Sequence, residues 1–317
     1  MPIRESSITS CAQKILEQVR KAVVGKDKTL LWVLAAFMAR GHILLEDIPG
    51  VGKTTMALAF SKTLALTHNR VQFTPDVLPS DVTGYSVLNQ SDGNMLYRPG
   101  AVLCNLFLAD ELNRATSRTQ SALLEAMEEG QVTVDGISHP LPKPFLVIAT
   151  QNPTGAAGTQ PLPDSQLDRF TICLSLGYPS ARDEAAMVLS RQGQDPLKEM
   201  KPLLSSDQLL AIQEEVDKTY ISEAVVNYVV ALIHATRSSP LLDRGASPRA
   251  TLSVVSMAKA IAQLRGRDYV VPKDVQEVLI PTLAHRLQVS PKGESNGMTP
   301  QQILQALIQE QPAPKLR

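Results

Sequence analysis

From about Ile8 to Val23 apolar residues recur at helical spacing. The segment VVGKDK from Val23 to Lys28 breaks the pattern, and a second helical stretch runs to about Arg40. A short apolar run, His42 to Glu46, predicts a buried strand. The chain then alternates: a helix from about Lys53, a strand near Val71 to Thr74, a strand from Asn105 to Ala109, a helix from about Ser117 to Glu129, and strands near Leu146 to Thr150 and Phe170 to Leu176. Continuous apolar strands alternating with helices predict a five-stranded parallel sheet covered by helices on both faces, an α/β fold.

Two hairpins interrupt this alternation, because Asp92-Gly93 and Asp135-Gly136 each lie between short strand-like stretches. They are expected as insertions, at about 84–98 and about 130–142. Beyond Tyr178 the pattern turns helical. Ser180 with Asp183 and Ser205 with Gln208 fit capping boxes, and helical stretches follow near Ser222 to Arg237, Pro248 to Leu264 and Lys273 to Leu287. The stretch Ser290 to Gly297 reads as a loop, followed by a short helix. The expected division is a core over 1–178, an all-helical lid over 179–310 and a mobile tail over 311–317.

Composition narrows the class. At 317 residues the chain is long enough for two domains. With 44% hydrophobic and 20% charged residues, no run of about 18 apolar residues and no charged leader before an apolar stretch, it is expected to be cytoplasmic and without a membrane segment. Lysine plus arginine equals aspartate plus glutamate at 31 each, so no global field draws it toward nucleic acid. Cys11, Cys104 and Cys173 are widely spaced in apolar segments, which fits reduced thiols, and the five histidines lack metal-ligand spacing.

The chemistry concentrates after the first strand, at Asp47-Ile48-Pro49-Gly50-Val51-Gly52-Lys53-Thr54-Thr55, a phosphate-binding loop opening a helix. Gly50 and Gly52 let backbone N–H groups approach phosphates, the helix N-terminus adds partial positive charge, and Lys53 neutralises the outer phosphates. The Thr54 hydroxyl would sit on Mg²⁺. Asp47 occupies the position of the generic first glycine and is expected to tolerate the left-handed turn that glycine would supply. The strand Asn105 to Ala109 runs into Asp110-Glu111, where Asp110 would bind hydrated Mg²⁺ and Glu111 polarise the attacking water. The next apolar strand ends in Thr150-Gln151-Asn152-Pro153, which sets a neutral amide beside the acids. By itself Arg169 is a cation before a strand, which a salt bridge with Asp168 would explain as well.

Together LLEDIPGVGKTT, LADELNRA, ATQNP, LPDSQLDRF and GASPRA resemble the AAA+ superfamily and specifically the MoxR family, in the helix-2-insert clade. The resemblance spans nearly the whole chain and implies an AAA+ nucleotide-binding core followed by a helical lid, with ATP and Mg²⁺ as cofactors. It implies that Val24 and Gly25 lie against the adenine, that Pro49 to Thr55 wrap the phosphates, and that Asn152 is the sensor-1 residue. Arg249 becomes the sensor-2 arginine reaching from the lid, and Arg169 the finger offered to a neighbouring subunit, with Arg114 the competing finger. The two hairpins match insertions that face a central pore in relatives. A hexameric ring that remodels or matures a protein substrate is implied, with a separate von Willebrand factor A domain protein as partner, since no such domain is visible here. Two other functions stay open: a nucleotide-gated scaffold or chelatase-like subunit, and a DNA motor. The motor is disfavoured, because the tips Ser91-Asp92-Gly93-Asn94 and Asp135-Gly136-Ile137-Ser138 lack lysine and arginine.

Overall fold

A computed structural model describes residues 5–48, 50–91, 93–151, 161–190 and 195–315. Within them β1 (Ile43–Glu46), β2 (His68–Gln72), β5 (Leu106–Asp110), β8 (Leu146–Gln151) and β9 (Ile172–Leu174) form a parallel sheet in the order β2-β5-β8-β1-β9. The other strands pair two by two and antiparallel: β3 (Gly84–Leu88) with β4 (Met95–Pro99), β6 (Gln131–Val134) with β7 (Ile137–Pro140), and β10 (Leu242–Arg244) with β11 (Gln288–Val289).

The sheet is apolar on both faces because its side chains alternate with period two. Ile43, Leu45, Leu106, Leu108, Leu146 and Ile148 enter one core cluster, and Leu44, Phe107, Ala109, Val147 and Ala149 the other. The first cluster runs without a break through the helices Glu5–Arg20, Asp27–Met38 and Lys53–Thr63 into the C-terminal helices. The second packs the helix Ser117–Glu129 through Leu123, Leu124 and Met127.

The C-terminal region comprises the helices Ser206–Lys218, Glu223–Ser238, Pro248–Leu264, Pro272–Leu283 and Pro300–Glu310, with the expected Ser205–Gln208 capping box at the start of the first. It departs from the expected pattern in two ways. The β10–β11 ladder makes it not wholly helical, and the stretch expected as a loop from Ser290 to Gly297 holds the short helix Pro291–Ser295, capped by the Ser290 hydroxyl on the Gly293 N–H. In the core, β2 lies at His68–Gln72, N-terminal to the expected Val71–Thr74. It is a sheet edge whose side chains, Val71 apart, are exposed, so apolarity does not mark it.

Among the described residues no disulfide forms, no group of His, Cys, Asp and Glu is disposed to hold a metal ion by itself, and no helix is long and apolar enough to cross a membrane.

Two histidines are fixed as neutral rings. His42 Nδ1 accepts from the Val147 N–H at 3.1 Å, which leaves the proton on Nε2, 3.2 Å from the Met127 carbonyl. Burial pushes its pKa down to about 4. His285 packs its Nε2 3.0 Å from the Phe170 carbonyl, and burial, reinforced by the Arg286 charge, lowers its pKa to about 3. Both rings ionise near their ordinary value of about 6.5 once unfolded. Their contribution is therefore complete above that pH and is lost as the unfolded chain takes up protons on acidification toward pH 4. Chemical denaturation at pH 7.5 and pH 5 should show a loss of about 1 to 2 kcal/mol per histidine. Equal stability at the two pH values would mean that the folded rings already carry protons.

Candidate active site

β1 delivers the chain to the loop before the helix Lys53–Thr63. Gly50 and Gly52 have φ of 86° and 96°, in the left-handed region that favours glycine, and a Cβ added at either would meet nothing within 4 Å. The loop thus presents bare backbone to open space. The Lys53 amine is buried and, among the described residues, donates to the backbone carbonyls of Asp47 at 3.0 Å and Ile48 at 3.3 Å. Burial lowers its pKa, while Asp47, Asp110 and Glu111 oppose the shift.

Asp47 differs from expectation in how it serves the loop. Its backbone is not left-handed. Instead its buried carboxylate accepts from the Ser175 hydroxyl at 3.1 Å and from the N–H groups of Leu176 and Gly177. A carboxylate that ties the loop to the segment leaving β9 explains the acid better than turn preference does.

β5, one strand beyond β8, carries the acids. Asp110 is nearly enclosed, with its Oδ1 near the Thr150 hydroxyl at 3.4 Å and its Oδ2 accepting from Arg70 Nε at 2.6 Å. Glu111 adopts φ of 56°, an uncommon conformation for a residue with a side chain, and its N–H donates to Thr150 Oγ1 at 2.8 Å. Its carboxylate pairs with Arg114 at 2.8 Å. The loop glycines, Lys53, Thr54, Thr55, both acids and Thr150 line one cavity of about 320 Å³ with Arg70 and Gln72.

Arg169 and Arg249 lie elsewhere. Both pair with Glu128 at the end of the helix Ser117–Glu129, Arg169 at 3.2 Å and Arg249 through a short contact, and they line a second cavity of about 230 Å³ with Arg40 and His42. Asp168 is not the partner of Arg169. It accepts from Arg286 at 3.0 Å and from the Ser247 hydroxyl at 2.9 Å. Buried Arg286, its pKa pushed down by burial to about 10, also donates to the Phe170 carbonyl at 2.7 Å.

Gly25 has φ of 72° and is crowded by Asp183 of the helix Ala181–Ser190, so that a Cβ there would lie 2.3 Å from that carboxyl. Next to it the Lys26 amine holds the carbonyls of Gly177 at 3.1 Å and Tyr178 at 2.9 Å. Val24 is partly buried beside this tie, while Val51 packs at the margin of the first core cluster. Pro49 and Asn152 lie outside the described residues. Arg70, Thr150 and Glu128 were not singled out from the sequence. Only the fold brings Arg70 and Thr150 to Asp110, and Glu128 to two arginines distant in the chain.

With this geometry in view, comparison with known proteins is specific. Residues 42–172 match the model of the ATPase family associated with various cellular activities, and residues 234–307 match an AAA lid domain. The chain is 42% identical to the YeaC protein of Bacillus subtilis, over 93% of this chain and 92% of that one. It is 37% identical to the chaperone MoxR1 of Mycobacterium tuberculosis, over 96% and 82%. A crystal structure of a Cytophaga hutchinsonii protein put forward as an ATPase superposes with a TM-score of 0.91 at 36% identity, covering 98% and 97%. An AAA core with its lid, and relatives matched over nearly their whole length, make this chain a member of the MoxR family of AAA+ ATPases.

Proposed function

We propose that the chain is a Mg²⁺-dependent ATPase that assembles as a hexameric ring and couples ATP hydrolysis to remodelling or maturation of partner proteins. The observation that carries this reading is the convergence of left-handed Gly50 and Gly52, the Lys53 amine and the Asp110 and Glu111 carboxyls on one cavity. In it the backbone of Gly50 to Thr55 cradles the phosphates, and Lys53 exchanges the carbonyls of Asp47 and Ile48 for phosphate oxygens. Glu111 polarises the attacking water, and Thr150, which holds the Glu111 N–H, keeps that carboxyl in step with Asp110. Asp110 and the Thr54 hydroxyl would hold Mg²⁺, a pairing that suits a buried carboxylate beside a half-buried hydroxyl; when bound, the ion would offset negative charge on the phosphates. Asn152, the residue after Gln151 in sequence, would orient the water. Val24 and Gly25 would border the base where the core, ending near residue 178, meets the lid.

Arg169 and Arg249 share Glu128 outside this cavity, which favours service to the ATP of a neighbouring subunit over their own. Arg114, by contrast, is held on Glu111 of the same chain. The hairpins expose apolar side chains, Leu88 and Met95 at the first and Ile137 at the second, and this suits contact with protein rather than with phosphates. One relative is named a chaperone, in keeping with this role, and a separate von Willebrand factor A domain protein is the partner class to test in the cytoplasm. An ATPase rate that rises with such a partner is the expected signature of remodelling, and a rate indifferent to every partner that binds would speak for a scaffold.

Two outcomes check the site. Lys53→Ala should weaken nucleotide binding by about a hundredfold or more, since it deletes the cation facing the phosphates. Glu111→Gln should bind normally yet turn over about 10² to 10⁴ times more slowly, as removal of a general base does. Equal turnover by wild type and Glu111→Gln in a steady-state assay would refute the assignment.

Arg169→Ala should leave ADP affinity nearly unchanged and cut turnover by ~10³ to 10⁵, the usual contribution of an arginine finger. Mixing Arg169→Ala with Lys53→Ala subunits, each inactive alone, should partly restore activity, because an intact Arg169 then faces an intact loop across an interface. If tagged subunits co-purify as mixed rings and no activity returns, Arg169 does not act across the interface.

A further inference from the structure

Arg70 stands in the nucleotide cavity without an assigned role. It projects from edge strand β2, where the register sets Arg70 opposite Leu108 and Gln72 opposite Asp110. Its Nε donates to Asp110 Oδ2 at 2.6 Å, and its Nη2 reaches Gln72 Oε1 at 3.4 Å. The two partners differ sharply in environment, for the Arg70 side chain is 51% exposed and that of Asp110 only 7%.

A nearly buried carboxylate requires a counter-charge. Lys53, the other cation of the cavity, is committed to the carbonyls of Asp47 and Ile48. Arg70 is therefore the counter-ion in direct contact with Asp110, Lys53 acting on it only through space, and an exposed one that can leave into solvent. A divalent cation drawn to this carboxylate competes with the guanidinium on its Oδ2, because the two positive charges repel across a short, poorly screened gap. We propose that Arg70 is a displaceable counter-ion of Asp110, which holds the cation position in the empty site and is expelled when Mg²⁺ enters with the nucleotide. This rests on the reading of Asp110 as a metal carboxylate. Its consequence is that the site resists metal alone and admits it with the phosphates, whose charge supplies the second half of the metal site while the freed guanidinium turns to solvent.

The test measures binding of a fluorescent ADP analogue to wild type, Arg70→Gln and Arg70→Lys across a Mg²⁺ titration, with an EDTA arm. The Mg²⁺ midpoint should fall by about tenfold in Arg70→Gln, the scale of a charge-assisted pair that is partly exposed. Arg70→Lys, which keeps the charge but loses the planar fork, should lie between. In an Asp110→Asn background, Arg70→Gln should no longer shift the midpoint. An unchanged or higher midpoint in Arg70→Gln would overturn the proposal, as would a shift that persists undiminished with Asp110→Asn, which would assign Arg70 to the general field of the cavity. A fall in analogue affinity in EDTA and Mg²⁺ alike, with the midpoint fixed, would make Arg70 a phosphate ligand and likewise overturn it. If wild type bound the analogue in neither condition, the nucleotide-site reading itself would fall. Normal wild-type binding with a metal response that Arg70 does not alter would sink this inference alone.

Discussion

The Asp47 carboxylate is the tie on which the arrangement of the site depends. It is buried at the end of β1 and gathers the Ser175 hydroxyl with two successive N–H groups, those of Leu176 and Gly177. Hydrogen bonds to an ionised acceptor contribute about 1.5 to 3 kcal/mol each, and a buried carboxylate without them would be strongly unfavourable. The same stretch accepts the Lys26 amine at Gly177 and Tyr178, so one acid joins the loop before Lys53, the exit from β9 and the Val24–Gly25 element. Three elements remote in sequence thereby share one anchor at the C-terminal edge of a parallel sheet, the edge where such sheets present their ligands.

A second connection runs from the lid to the segment carrying Arg169. Arg286 and His285 hold the Phe170 carbonyl, Arg286 and Ser247 hold Asp168, and Arg244 pairs with Asp164. Since Arg286 is buried and its donors are spread over several acceptors, the lid cannot shift at this point without carrying the Asp164–Phe170 segment along or breaking charged hydrogen bonds. Lid position and Arg169 position are thus mechanically linked within one chain.

Much of this was legible in the residues. The continuous apolar runs at Ile43–Leu45, Leu106–Ala109 and Leu146–Ala149 specify central strands buried on both faces, and glycine at 50 and 52 before Lys53 specifies the loop, because both are local consequences of backbone geometry. β2 escaped because an edge strand buries little, and the helix Pro291–Ser295 because polar residues and a glycine masked the Ser290 cap and the proline that follows it. The ladder of β10 with β11 joins short segments more than forty residues apart, a pairing no local pattern announces. Asp47 was noticed but given a conformational reason when its reason is electrostatic. Arg70 and Glu128 illustrate the general difficulty: a charged residue on a surface element looks solvated until the fold supplies its partner.

Glu128 faces two guanidiniums, and one unit of negative charge cannot satisfy both. All three side chains are between about a quarter and a half exposed, at 37%, 29% and 43% for Glu128, Arg169 and Arg249, so each pairing is worth little in water. The resulting patch is an electrostatic debt of about one positive charge, held in position by a rigid helix end and a buried lid arginine rather than by the strength of its own bonds. Such a patch exchanges partners readily: a polyanion brought to it gains two oriented cations while displacing a single weak competitor. Association at this face and occupancy of a ligand brought there would then reinforce each other by the same free energy in either direction.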